Sequence, residues 1–398
     1  MKKRLTLFTI SAILLGAHLK AQNSFFSSAD AYIRQIPPGD KPILFAPGQL
    51  APNGYFPMDR VAFSSDGKTF YYCTNNTWFS SKDLKIYYRH FDGQHWTAPR
   101  VLNAGYYAPS FSPDGNKMFF NGKGKSVLYS IRTDSGWSEP AEYFQRSYGL
   151  YDFMTTQSGH SYVGSNGNGG NAMNYQTYDI CILPVSLSDT SVQSLGIPVN
   201  TPGFDGDFYI APDESYMIIS AKEKPDFECE LWISFRKADQ SWTNPKSLGP
   251  LINDGNAHRW GEYVSPDGKY LFYSHGTSPK DCGILWVRFD KLLEKLKHSN
   301  FAPYVKLPIA VQTATKGQKF SIIIPETTFV DDDGNNTLRY TASQSNGNPL
   351  PAWLTFDAVQ KIISGKAPDA GKYSIKVSAI DPAGAKASSI FLLNVSAQ

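Results

Sequence analysis

The chain has 398 residues, of which 41% are hydrophobic, 14% aromatic and 18% charged; low charge with abundant aromatics excludes a disordered chain, and the length allows two or three domains with buried cores. Lys2, Lys3, Arg4 and Lys20 lie in an opening stretch that holds no acid. Beyond it the bases no longer exceed the acids, which excludes an electrostatic nucleic-acid binder.

Residues 1–21 join a basic M-K-K-R to the apolar run L-T-L-F-T-I-S-A-I-L-L-G-A and end at a small-residue cleavage point, Ala21-Gln22. This is the pattern of a bacterial secretory signal peptide. The run is shorter than the roughly 18–20 residues a bilayer needs, and no later segment is apolar enough to span one. The reading is therefore an exported protein without membrane insertion, periplasmic or extracellular. Residues 22–40 form a lead-in. The cysteines Cys73, Cys181, Cys229 and Cys282 show no C-x-x-C or paired-His spacing, which argues against zinc. Cys229 and Cys282 each precede a similar strand (C-E-L-W-I-S-F and C-G-I-L-W-V-R-F), a pairing that an oxidising compartment permits; buried free thiols are the other reading.

Residues 41–297 carry an internal repeat. Turn motifs end at Gly67 (S-S-D-G), Gly115 (S-P-D-G), Gly159 (T-Q-S-G), Glu214 (A-P-D-E) and Gly268 (S-P-D-G). Each is followed by a short apolar run, a variable loop and a second run. In three repeats W-[ST]-x-P follows, at Trp96–Pro99, Trp137–Pro140 and Trp242–Pro245. Asp caps the turn backbone and Gly accepts positive φ, so D-G reverses the chain between two strands, and the β-branched and aromatic runs suit buried strands. Such a four-stranded unit of about 45–50 residues, repeated radially, is a β-propeller blade. The last repeat lacks its outer strand, and K-P-I-L-F-A-P-G-Q-L (41–50) is the candidate to supply it. The expectation is an all-β chain with a five-bladed propeller, a six-bladed one being the alternative.

The segments S-P-D-G-K-Y-L-F-Y-S-H and S-P-D-G-N-K-M-F-F resemble TolB-like, WD-related propeller repeats with the Pro-Asp motif, and the stretch from Ile210 to Asn253 is similar to exported Bacteroidetes members. The third repeat departs most, having T-Q-S-G and no W-[ST]-x-P. The resemblance implies a binding propeller of the cell envelope, a family whose fold says little about its ligand.

A short helix at 291–297 and a linker at 298–308 lead to alternating strands over 309–398, the texture of an immunoglobulin-like β-sandwich. F-V-D-D-D-G-N-N-T-L-R-Y, L-P-A-W-L-T-F-D and A-I-D-P-A-G resemble a dystroglycan-type cadherin-like domain. That resemblance implies Asp331, Asp333 and Asp381 as calcium ligands, since Ca²⁺ takes six to eight oxygens; the acid that normally enters from the preceding segment is missing, and plain turns are the alternative.

Nucleophile elbows, P-loops and H-E-x-x-H are absent. The glycine-rich Gly164–Asn171 lacks a following Lys-Ser/Thr and reads as a loop, and His90 and His95 as an exposed hairpin. Acids recur at the start of the first strand of several repeats: Asp59, Asp152, Asp207 and Glu262. They are expected to converge at the channel mouth with Arg60, His258, Arg259 and Trp260 nearby, binding a ligand. If the protein is an enzyme, the same four acids are the candidates for glycosidase-type acid–base work. Cross-blade structural acids are the competing reading. The functional expectation is a non-enzymatic binding or scaffold protein of the envelope, needing no cofactor besides that calcium, with an envelope protein or a glycan as partner; a carbohydrate-active hydrolase or lyase and a structural spacer are the alternatives.

Overall fold

The structure, a computed structural model, describes residues 25–397 except 79–82, 123, 168–177, 187, 202, 223 and 225–227. The signal-peptide segment and part of Gly164–Asn171 lie outside the described residues. No helix among the described residues is long and apolar enough to cross a membrane. Two compact units emerge among the described residues, one up to 236 and over 247–297, the other over 237–246 and from 298 onward. The excursion Lys237–Lys246, which the sequence assigned to the fourth repeat, thus keeps company with the C-terminal segment.

In the first unit each turn motif joins two antiparallel strands. At Gly67, Asp66 accepts from the Ser64 hydroxyl at 2.6 Å and from the Lys68 amide at 3.0 Å, while Gly67 takes φ +75°. Sheet one runs Phe56–Phe63, Thr69–Asn75, Lys85–His90, Arg100–Ala104. Sheet two runs Tyr107–Phe111, Lys117–Asn121, Ser126–Thr133, Ala141–Gln145, with Gly136–Trp137 beside its third strand. Sheet three runs Leu150–Thr155, Ser161–Ser165, Asp179–Leu183, Gln193–Ser194, and sheet four Phe208–Ile210, Tyr216–Ala221, Glu230–Phe235, Lys246–Ser247. Sheet five runs His258–Val264, Tyr270–Gly276, Gly283–Arg288 and then Ile43–Leu44, with Ile43 opposite Trp286. The innermost strands pack on one another in chain order and the fifth returns to the first, a propeller-like ring.

Four of the five innermost strands share an irregularity. Register slips between Met58 and Ala62, Tyr107 and Ser110, Tyr151 and Met154, and Trp260 and Tyr263. The first residue of each bulge is left-handed: Asp59 at φ +66°, Ala108 at +52°, Asp152 at +51° and Gly261 at +64°. A bulge re-aims the side chains beside it. Gly261 is required for a second reason: a Cβ there would stand 2.4 Å from the Asp59 carbonyl carbon.

The closing seam is aromatic. Phe45 meets Phe70, Phe272 and Trp286 with ring centroids 5.1–5.3 Å apart. Tyr32 enters the same cluster from a left-handed turn and donates to Asp267 at 2.8 Å.

In the second unit, Gln312–Thr315, Lys386–Ser396, Gly371–Ile380 and Arg339–Gln344 form one sheet, its first pair parallel, and Lys319–Ile323, Ile362–Lys366 and Leu354–Asp357 another. Ile322, Ile363, Ile375, Val377, Phe391 and Leu393 are buried in its core, an all-β sandwich pattern.

Candidate functional site

The bulges carry Asp59, Asp152 and Glu262 into the ring of innermost strands. The Arg60 guanidinium stands 3.0 Å from Asp152 Oδ2 and donates to Phe208 O at 2.7 Å. Asp59 Oδ1 accepts from the Arg60 amide at 2.6 Å, and Asp152 Oδ2 from the Phe208 amide at 3.3 Å. The Ser220 hydroxyl lies 2.6 Å from Arg259 O and 2.7 Å from Glu262 Oε1. It has one proton for two acceptors, so a protonated Glu262 satisfies the second contact.

Asp59, Asp152, Asp207 and Glu262 were expected at an open mouth; each is at most 3% exposed. Their unequal offsets from the turn motif have a geometric reason. Asp59 and Asp152 are the left-handed bulge residues themselves, Glu262 follows bulge residue Gly261, and Asp207 precedes the innermost strand of sheet four. Burial pushes the Asp59 carboxyl up to about 7, with the Asp152 charge adding to it. Burial likewise raises Glu262 to about 8 against the Ser220 hydrogen bond, and raises Asp152 despite Arg60. Arg60 Nε and Nη1, Asp152 Oδ1 and Glu262 Oε2 are buried without a hydrogen-bond partner.

Arg259 departs from the expectation. Its guanidinium donates to Cys229 O at 2.9 Å, Ile252 O at 3.0 Å and Ala257 O at 3.3 Å, and to Asp254 O, so it braces a loop. His258 and Trp260 are buried with ring centroids 4.3 Å apart. His90 and His95 are exposed, and all four cysteines are free thiols. Cys229 accepts from the Arg259 amide at 3.2 Å, while Cys282 faces Pro57 O at 3.6 Å.

Of the residues that precede the bulges, the sequence reading named Trp260 and passed over Met58, Tyr107 and Tyr151. Met58, Tyr107, Tyr151 and Trp260 each immediately precede a bulge residue. Tyr107 and Tyr151 have centroids 6.0 Å apart, Tyr151 and Phe204 6.2 Å, and Trp78 and Trp260 5.7 Å edge to face. Tyr107 packs on the cluster that holds Met58 and Trp260. Together these rings form a collar, with Trp78, Tyr107, Tyr151 and Phe204 partly exposed. Burial, then the Asp207, Asp59 and Asp152 charges, raise the Tyr151 phenol strongly. The signal was present in the sequence: an aromatic stands directly before Ala108, Asp152 and Gly261.

A second cluster accounts for the two atypical turns. Glu214 stands at φ +60° where other repeats have Gly. Its Oε1 accepts from Thr156 Oγ1 at 2.6 Å, from His160 Nδ1 at 2.8 Å and from the Ser158 hydroxyl; Tyr162 donates to Oε2 at 3.2 Å and Arg236 stands 3.6 Å away. Burial alone would raise this carboxyl; the Ser158, Thr156 and His160 donors outweigh it and hold it near 2. Ser158 and Glu214 share the same imidazole nitrogen, which is not the arrangement of a hydrolytic triad.

In the second unit Asp331 Oδ1 accepts from the Asp333 amide at 2.9 Å, Asp333 from the Phe301 amide at 2.6 Å, and Asp381 from the Ala385 amide at 2.8 Å and Asn300 Nδ2 at 2.9 Å. Asp332, which the calcium expectation left out, pairs with Lys237 at 2.9 Å. Asp331 Oδ2 is buried without a donor, and burial with the Asp333 and Asp381 charges raises this carboxyl. Among the described residues, no three acids, His or Cys yet stand close enough together to hold a metal ion.

Residues 302–396 match the family model described as "Putative Ig domain". That segment is an Ig-type domain. No curated protein matches the chain. Among solved structures, the chain resembles TolB from Acinetobacter baumannii at 14% identity, over 57% of this chain and 54% of that one, with a TM-score of 0.36. It also resembles the extracellular domain of a hybrid two-component system from B. thetaiotaomicron at 10% identity, over 83% and 43%, with a TM-score of 0.33. An alpha-galactosidase from Bacteroides fragilis aligns at 19% identity over 24% of this chain, with a TM-score of 0.19, and the chain spans only 18% of its length. At such scores the propeller architecture stands on the sheet topology itself.

Proposed function

We propose that this is an exported binding or scaffold protein of the cell envelope: a five-bladed propeller, its last blade completed by Ile43–Leu44, followed by the Ig-type domain. The ligand, a glycan or an envelope protein, is taken at the aromatic collar. One observation supports this reading: the partly exposed rings of Tyr107 and Tyr151 stand one residue before the innermost-strand bulges, while Asp59, Asp152 and Glu262 are sealed from water and contact Arg60, Ser220 and backbone amides. Glycosidic cleavage needs two water-reachable carboxyls about 5–9.5 Å apart, so the hydrolase or lyase reading has weaker support. A glycan array and an envelope pull-down test the proposal. Wild type should retain a ligand that Tyr107→Ala/Tyr151→Ala loses, and the purely structural spacer would retain none. Turnover of any glycan that Asp207→Asn/Glu262→Gln abolishes would instead restore the enzyme.

Calcium binding by Asp331, Asp333 and Asp381 is a second proposal, supported by the buried unpaired Asp331 Oδ2. Calcium there would supply the charge that these carboxylates press against. A melting temperature raised by about 2 °C or more with millimolar Ca²⁺, and not in Asp331→Asn, is the expected result; identical melting in Ca²⁺ and EDTA refutes it.

A further inference from the structure

The Ig-type unit sorts its charge by sheet. Its larger sheet consists of Gln312–Thr315, Lys386–Ser396, Gly371–Ile380 and Arg339–Gln344, and these four strands hold no Asp or Glu. They do hold Arg339, Lys372, Lys376 and Lys386. Ile375, Val377, Phe391 and Leu393 point into the core, so the alternate positions that carry the three lysines point outward. Arg339 stands opposite Ile380, which stands opposite Lys386, and Lys376 stands opposite Ser343 and Ile390. All four bases therefore share one outer face.

That face is open and its charge is unanswered. Arg339, Lys372 and Lys386 are exposed, Lys376 is partly exposed, and Ile390 between them is 55% exposed. Among the described residues none of the four bases has an ion-pair or hydrogen-bond partner. Elsewhere in the same unit Lys237, Lys316 and Lys361 pair with Asp332, Asp369 and Glu326. The strand rise puts Lys372 and Lys376 roughly 13 Å apart, and the level of Arg339 and Lys386 roughly 13 Å further on. Those last two flank Ile380 at a separation of roughly 10 Å. The bases thus form a band along the sheet rather than a pocket.

We infer that this sheet face binds a linear acidic polysaccharide, with its carboxylates over Lys372, Lys376, Lys386 and Arg339. The inference goes beyond the collar and does not depend on it. A band of unpaired charge matches a polymer whose charges are spread along its length, not a single small anion. Three of the four bases are Lys, a rotatable point charge; fixed bidentate recognition of phosphate favours Arg. The exposed hydroxyls of Thr341 and Ser374 can bond sugar hydroxyls, and Ile390 offers an apolar surface to a ring's C–H face. A protein partner fits less well, because interface cores are rich in aromatics and poor in Lys and Ser. The aromatics of this sheet, Tyr340, Tyr373 and Phe391, pack into the core instead.

Alginate, a polyuronate, is the probe for the whole chain, with dextran as the neutral polymer and polyglutamate and single-stranded DNA as other polyanions. Alginate should bind and dextran should not, and raising NaCl from 50 to 200 mM should weaken alginate binding by about tenfold or more, as counterion release requires. Arg339→Gln/Lys376→Gln/Lys386→Gln should weaken it by about tenfold or more at low salt with an unchanged melting curve, since surface substitutions leave the fold intact. Lys316→Gln/Lys319→Gln/Lys366→Gln removes the same charge elsewhere on the unit and should stay within about twofold of wild type. No alginate binding, equal binding of dextran, or equal loss in the two triple variants overturns the inference. Tighter binding of polyglutamate or DNA than of alginate assigns another class of partner and overturns it too. Tyr107→Ala/Tyr151→Ala should bind alginate as wild type does. Alginate lost in that variant and kept by the Arg339, Lys376 and Lys386 variant removes the sheet-face site while leaving the collar's binding function standing.

Discussion

Glu214 occupies a position that Gly fills in the other repeats, and a non-glycine residue at φ +60° costs about 1 kcal/mol. The strain persists because Thr156, Ser158, His160 and Tyr162 all donate to its carboxylate. The T-Q-S-G and A-P-D-E departures, which look like decay of the repeat, are two halves of one contact between neighbouring sheets. Glu214→Gly relieves the turn and loses charge-assisted hydrogen bonds worth more than the strain, so a net loss of about 1–3 kcal/mol is expected in denaturant unfolding at pH 7. The folded value of Glu214, near 2, is below its unfolded one. Its stabilisation is therefore full above pH 4.5 and fades as pH falls toward 2, and the gap between wild type and variant should close over that interval.

Glu262 behaves in the opposite sense. Its folded value, about 8, lies above the unfolded one, so the native state binds the extra proton. The stability this contributes is full below about pH 4.3 and is lost as pH rises through 8. Glu262→Gln keeps a donor for the Ser220 hydroxyl and carries no titratable proton. Its melting temperature should decline less than that of wild type between pH 6 and 9, and a parallel decline would contradict the buried, protonated assignment.

At the scale of elements, the bulge converts a repeated strand into a site. Register slips in four of the five innermost strands make Asp59 and Asp152 bulge residues and leave Tyr107, Tyr151 and Trp260 one residue before a bulge. The D-G turns, the alternating runs and the W-[ST]-x-P punctuation could be read directly, because turn chemistry and strand patterning are local. The bulges could not, since register belongs to a pair of strands. The closing strand shows the same division. Ile43 and Leu44 are two exposed residues, too short to register as a strand alone, and the buried Phe45 anchors them among Phe70, Phe272 and Trp286. Phe45→Ala should cost about 3–5 kcal/mol and make Trp286 emission sensitive to an external quencher at denaturant concentrations where wild type is protected.

At the scale of the whole molecule, five turn motifs and the change of texture after residue 297 already determine an all-β chain with a ring of sheets and a terminal Ig-type sandwich. Those features follow from short-range chemistry repeated along the chain. Only the tertiary structure decided that the recurring acids are sealed, that Arg259 braces a loop, that Lys237–Lys246 joins the second unit and that Asp332 is taken by Lys237. Burial and pairing are properties of what the ring brings together from strands some 50 to 200 residues apart, and no local pattern carries that information.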